Sequence, residues 1–84
     1  KLHGNFPNPF NPSTKIIFEL RAANYVSVVV YDISGNEVET LVNKKLNAGI
    51  HEVEFDGSDF TSGLYFYTIN YGGKIFSSKM ALIK

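Results

Sequence analysis

An antiparallel β-sandwich is the fold class that this sequence predicts. Three observations lead to it. Apolar residues recur with period two rather than at helical spacing, and β-branched and aromatic residues dominate those segments. Glycine- and asparagine-containing turn clusters separate the segments at short, regular intervals. No long stretch carries the 3.6-residue stripe of an amphipathic helix.

The elements follow in order. Lys15 to Leu20 places Ile16, Phe18 and Leu20 on one face. Tyr25 to Tyr31 places Val26, Val28 and Val30 inward, with Tyr25, Ser27, Val29 and Tyr31 opposite. Ser34-Gly35-Asn36 then supplies a hairpin turn with positive φ. Glu37 to Asn43 reads as a shorter strand around Val38, Thr40 and Val42. Ile50 to Asp56 sets His51, Val53 and Phe55 against Ile50, Glu52 and Glu54. Leu64 to Tyr71 turns Tyr65, Tyr67 and Ile69 to one face. Gly72-Gly73 turns the last hairpin, and Lys74 to Ile83 closes the chain with Phe76, Met80 and Leu82 inward. These six segments and an extended N-terminal stretch make about seven strands.

That N-terminal stretch, Asn5 to Thr14, reads NFPNPFNPST and holds all three prolines of the chain. Proline cannot donate to a β ladder and drives its preceding residue toward extended geometry. Phe6 to Pro12 is therefore expected along an edge or across one end, not in a central strand. Phe6 and Phe10 are the expected anchors, and Asn5, Asn8 and Asn11 favour side-chain-to-backbone turns. Residues 5–12 read as a stiffened clasp and as the junction with an upstream domain. Further on, Tyr65 occupies the position of a tyrosine corner, or is an ordinary half-buried strand tyrosine.

Eighty-four residues make a single domain, 1–84, with one thin core. Seven Phe and five Tyr help to fill it. With no cysteine, neither a disulfide nor a Cys-based zinc site is available. Eight basic and eight acidic residues balance, which disfavours nucleic acid and anionic membrane as partners. No apolar run approaches the length of a transmembrane segment. The chain opens on Lys1 and carries no leader pattern, so we read it as a piece of a longer protein whose targeting information lies upstream.

Catalytic chemistry is hard to assemble from these residues. His3 lies in an expected frayed terminus, and His51 on an inward strand register. Ser58, His51 and Asp56 make a triad on paper, without a nucleophile elbow or oxyanion loop. Asp56 and Asp59 share a short loop and are weak calcium candidates. Asp32-Ile33-Ser34-Gly35-Asn36 starts like a calcium loop, but Glu37 and Asn43 stand where its glycine and bidentate glutamate belong. Outward aromatics at Tyr25, Tyr31, Phe66 and Tyr71 keep a carbohydrate-binding module as the second reading. A structural spacer is the third. Lys74, Lys79 and Lys84 either guard an edge against aggregation or form a charged signal read by a partner.

Taken in order, the blocks "FPNPFNPSTKIIFEL", "VSVVVYDISGNEVETLV", "NAGIHEVEFDGSDFTSGLYFYTI" and "KMALIK" resemble one family. It is the C-terminal sorting domain of proteins exported by the type IX secretion system of Bacteroidetes and related bacteria. The resemblance is to the type A, Por-like form, which is also similar to the Ig-like domain of flagellar hook-capping proteins. It spans Phe6 to Lys84. Residue by residue, Pro7, Asn8 and Pro9 match the opening motif, and Gly35 the hairpin glycine. Gly63 and Tyr65 match the late-strand motif, and Lys79, Met80 and Lys84 the terminal segment. Phe55-Asp56 stands where the family often has Trp-Asp.

The resemblance implies an immunoglobulin-like sandwich without catalysis or cofactor, placed at the C-terminus of a secreted hydrolase or adhesin. It implies transit through the periplasm and recognition by the type IX translocon and its sortase-like machinery. The cargo would then be released or attached at the cell surface. We expect the final strand and its basic end to carry recognition, and the proline clasp to fix the fold.

Overall fold

A computed structural model describes residues 1–84. Seven strands form: β1 (Leu2–Phe6), β2 (Ser13–Leu20), β3 (Asn24–Tyr31), β4 (Glu37–Leu46), β5 (Gly49–Asp56), β6 (Gly63–Tyr71) and β7 (Lys74–Leu82). They build two antiparallel sheets, one ordered β1-β2-β5 and the other β4-β3-β6-β7. This is the expected immunoglobulin-like antiparallel sandwich, with the chain crossing between sheets after β2, β4 and β5.

The core lies where the alternation places it. Ile16, Phe18 and Leu20 of β2 face Val26, Val28 and Val30 of β3 across the sandwich, and all six are buried. Tyr65, Tyr67 and Ile69 of β6, Met80 and Leu82 of β7 and Phe55 of β5 complete the cluster. Burying each large side chain is worth about 1.5–3 kcal/mol, so these rows supply most of the drive to fold. Gly72 and Gly73 have φ of 57° and 76°, the left-handed pair that a two-residue hairpin between Tyr71 and Lys74 requires.

Four expectations are corrected. The N-terminus is not frayed, because Leu2–Phe6 pairs with β2 and His3 lies within that strand. Phe6 does not anchor the clasp. It is 60% exposed, opposite Lys15 on the outer face, while Asn5 points inward. β4 is longer than expected and bulged twice against β3. The bulge between Val42 and Thr40 turns Leu41 toward the core and leaves Thr40 exposed, which simple alternation cannot foresee. Tyr71 is half-buried against the core, not outward. It shares the register of Tyr67 and Ile69 and stacks on Phe76 at 5.6 Å.

The clasp runs between β1 and β2 and crosses from one sheet to the other. Phe10 is 2% exposed and bridges Leu82 in parallel. Its N–H donates to the Ala81 carbonyl and its carbonyl accepts from the Ile83 N–H, each at 2.9 Å. The expectation of an edge position for Phe6 to Pro12 therefore holds. The segment lies inside the domain, however, since β1 precedes it.

Candidate functional site: the clasped end of the sandwich

The residues that carry the motifs come from four distant parts of the chain, and the register brings them to one end. Ser13 lies opposite Asp56, so the clasp and the β5–β6 loop meet there. Tyr31 lies opposite Phe66, which puts the β3–β4 hairpin and Gly35 beside the start of β6. Gly63 pairs with Leu82 and Tyr65 with Met80.

Asn8 joins the first motif to the last. Its Nδ2 donates to the Lys79 carbonyl at 3.4 Å, and its Oδ1 accepts from the Ala81 N–H at 3.1 Å. A side-chain amide thus replaces a neighbouring strand on the outer edge of β7. Pro7 and Pro9 flank it, both exposed. The Pro7 carbonyl accepts from Thr14 Oγ1 at 2.8 Å, which ties the clasp back to β2.

The loop after β5 closes the same end. The Gly57 N–H donates to the Pro12 carbonyl at 2.8 Å. A Cβ on Gly57 would stand 2.9 Å from Leu82 Cδ2 and 3.0 Å from the Pro12 oxygen, so only glycine fits. Tyr65 Oη donates to the Thr61 carbonyl at 2.7 Å, the bond of a tyrosine corner. Lys84 Nζ donates to the Ser58 carbonyl at 2.6 Å, and its N–H to Ser62 Oγ at 3.0 Å.

Asp56 is engaged locally. Its Oδ1 accepts from the Ser58 hydroxyl at 2.5 Å and the Ser58 N–H at 2.9 Å. The Ser58 hydroxyl, then its amide, hold the carboxyl below the ordinary 3.8, and the charge of Lys84 adds to them. Asp59 is exposed nearby. No third His, Cys, Asp or Glu joins these two in a metal-holding group, and calcium needs six to eight oxygens. Asp32 likewise serves its own turn, accepting from the Ser34 and Asn36 N–H groups at 2.9 Å.

The paper triad is not assembled. Ser58 gives its hydrogen bond to Asp56, while His51 Nε2 donates to the Asn47 carbonyl at 2.7 Å and its ring stacks on Phe18. Of the nine motif residues, Tyr65 and Met80 lie in the core, and Gly35 and Gly63 adopt positive φ at turn and strand start. Lys79 and Lys84 present exposed side chains. Sequence reasoning gave Asn5 and Ser58 other roles, a turn and a triad on paper, and missed Gly57. Gly57 sits in an obvious turn cluster, but nothing in the sequence shows that a Cβ there would stand within 3 Å of Leu82.

The fold and this end of it define an all-β module built around mutual closure of its first and last segments. A family profile described as a secretion system C-terminal sorting domain matches residues 5–84. The chain belongs to that family. No curated protein and no solved structure matches it. Membership supports the role of a type IX secretion C-terminal sorting signal, in a family that is generally non-catalytic. It implies contact with the type IX machinery and a secreted or surface-attached protein. No helix is long and apolar enough to cross a membrane.

Proposed function

We propose that residues 1–84 are the folded export signal of a larger protein. A cargo domain lies upstream of this module, with residues 5–12 as its Pro-rich clasp. The cargo passes through the periplasm, where the type IX translocon recognises this domain and moves the protein across the outer membrane. Sortase-like machinery then acts on it, and the cargo is released or held at the surface. The domain itself performs no catalysis and needs no cofactor. The observation that carries this reading is the family match over residues 5–84.

Within that role, the exposed side chains of Lys79 and Lys84 carry recognition. Pro7, Asn8, Pro9, Gly35, Gly63, Tyr65 and Met80 hold the surface that presents them. The test is an export assay. Residues 1–84 are fused behind a periplasm-targeted fluorescent protein in a bacterium with a type IX system and in a translocon-deficient strain. Fluorescence outside the outer membrane in the first strain only is expected. Retention of a folded fusion in the periplasm of both sinks the proposal.

Lys79→Ala/Lys84→Ala should lower export while the fusion stays folded. Deleting residues 79–84 is a poor substitute, because Met80 and Leu82 are each 1% exposed and the core opens with them.

A further inference from the structure

The outer face of the β4-β3-β6-β7 sheet differs in charge from that of the other sheet. Its two central strands turn Tyr25, Ser27, Val29 and Tyr31, then Leu64, Phe66, Thr68 and Asn70, outward, and none of the eight is charged. The outer face of the other sheet carries Lys15, Glu19, Glu52 and Glu54. Cross-strand neighbours cover Val29 so well that it is 8% exposed from the solvent side. Beside it, Leu64 and Phe66 remain 43% and 38% exposed. The row through Phe66 reads Glu37, Tyr31, Phe66, Lys79 across the four strands. Charge is confined to its two ends. An uncharged centre with a charged rim is the anatomy of a protein interface.

The charge of the chain is also divided. From Phe60 onward there are three lysines and no acidic residue, against five basic and eight acidic residues before it. The β7 rim of the face is therefore basic, through Lys79, although the whole chain is neutral.

Size narrows the choice of occupant. Strand spacing and rise make the face about 20 Å by 25 Å, so covering it buries about 1,000 Å² over both partners. That is below the 1,200–2,000 Å² of a standard stable complex, and it suits an encounter that must later be released.

We infer that this face is the docking surface for a protein of the export machinery. The partner offers an apolar patch to Tyr31, Leu64 and Phe66, and an acidic side chain to Lys79. The inference rests on the sorting role proposed above, and gives that role a second contact area beside the lysine at the chain's end. Acidic groups on the partner would steer approach, while the apolar centre would set how long the complex lasts.

The test uses the fluorescent fusion in the export-competent strain. Leu64→Lys, Phe66→Lys and Lys79→Glu are compared with Ile50→Lys and Lys15→Glu, which alter the opposite outer face. Thermal unfolding of each purified fusion confirms the fold, and two separate apolar positions guard against one variant failing to fold. Loss of a central interface contact should reduce export about tenfold or more. The charge reversal should act in the same direction, and the two control variants should export like the parent.

Parent-level export by folded Leu64→Lys and Phe66→Lys overturns the inference and leaves the sorting role standing. A parent fusion that is not exported removes both. A purified fusion of doubled mass that Phe66→Lys returns to a monomer shows a second copy on this face, and overturns the inference as well.

Discussion

Asn5 lies inside the sandwich, and its amide serves two buried hydroxyls. Nδ2 donates to Thr14 Oγ1 at 3.2 Å, and Oδ1 accepts from Tyr67 Oη at 3.2 Å. Asn5→Ala leaves both without that partner and should cost about 1–3 kcal/mol, read by urea unfolding. Tyr67→Phe should be milder, and the double variant should cost less than the sum of the two, because they share one bond. Burial also raises the Tyr67 phenol above 10.0, opposed by a weaker hydrogen bond with Ser78. The folded state then holds its proton more tightly than the unfolded state. That contribution is intact below pH 10 and is lost as pH climbs past it. The denaturation midpoint should therefore fall more steeply above pH 10 in the parent than in Tyr67→Phe. Asp56 works in the opposite sense. Its lowered pKa favours folding above 3.8, and this contribution fades as pH drops below that value. Asp56→Asn should flatten that acid limb.

At the scale of elements, the decisive contact is between the clasp and β7. Two side-chain bonds from Asn8 and two backbone bonds from Phe10 cover the outer edge of β7 from Lys79 to Ile83. Asn8→Ala should cost about 1 kcal/mol, since the edge groups it leaves can turn to water. Gly57→Ala should cost more, about 1–3 kcal/mol, because its methyl meets Leu82 and a backbone oxygen on either side. Both are measured by equilibrium unfolding. Strand positions and inward rows were legible from alternation for β2, β3, β5, β6 and β7, because each side chain's face follows from parity. β1 was not legible as a strand. Its five residues are too few and too mixed to show a period, and its pairing is a long-range event. β4 was half legible, since each bulge resets parity. The prolines told where the clasp could not go. Phe10 was expected as an anchor and is one, but that Asn5 rather than Phe6 would join it inside was not legible.

For the whole molecule, the margin is small. A disulfide-free domain of this size has only a few kcal/mol to lose. Leu82→Ala, at a site 1% exposed, should cost about 2–5 kcal/mol and abolish export through unfolding, without touching any exposed recognition group. Protease resistance of the periplasmic fusion distinguishes that outcome from lost docking. The family could be argued from the sequence, from four motifs in order. Their convergence on one end could not, because it depends on which strands pair and in what register.

The closure of β7 by residues 8–10 has one more consequence. Met80 and Leu82 are made late in translation, and the edge that Asn8 and Phe10 occupy does not exist before them. A chain broken off earlier has a proline segment with nothing to hold and a core open on one side. Under the proposed sorting role, a receptor that engages only the closed sandwich would thereby inspect the polypeptide for completeness, and a prematurely terminated cargo would carry no valid ticket out of the cell.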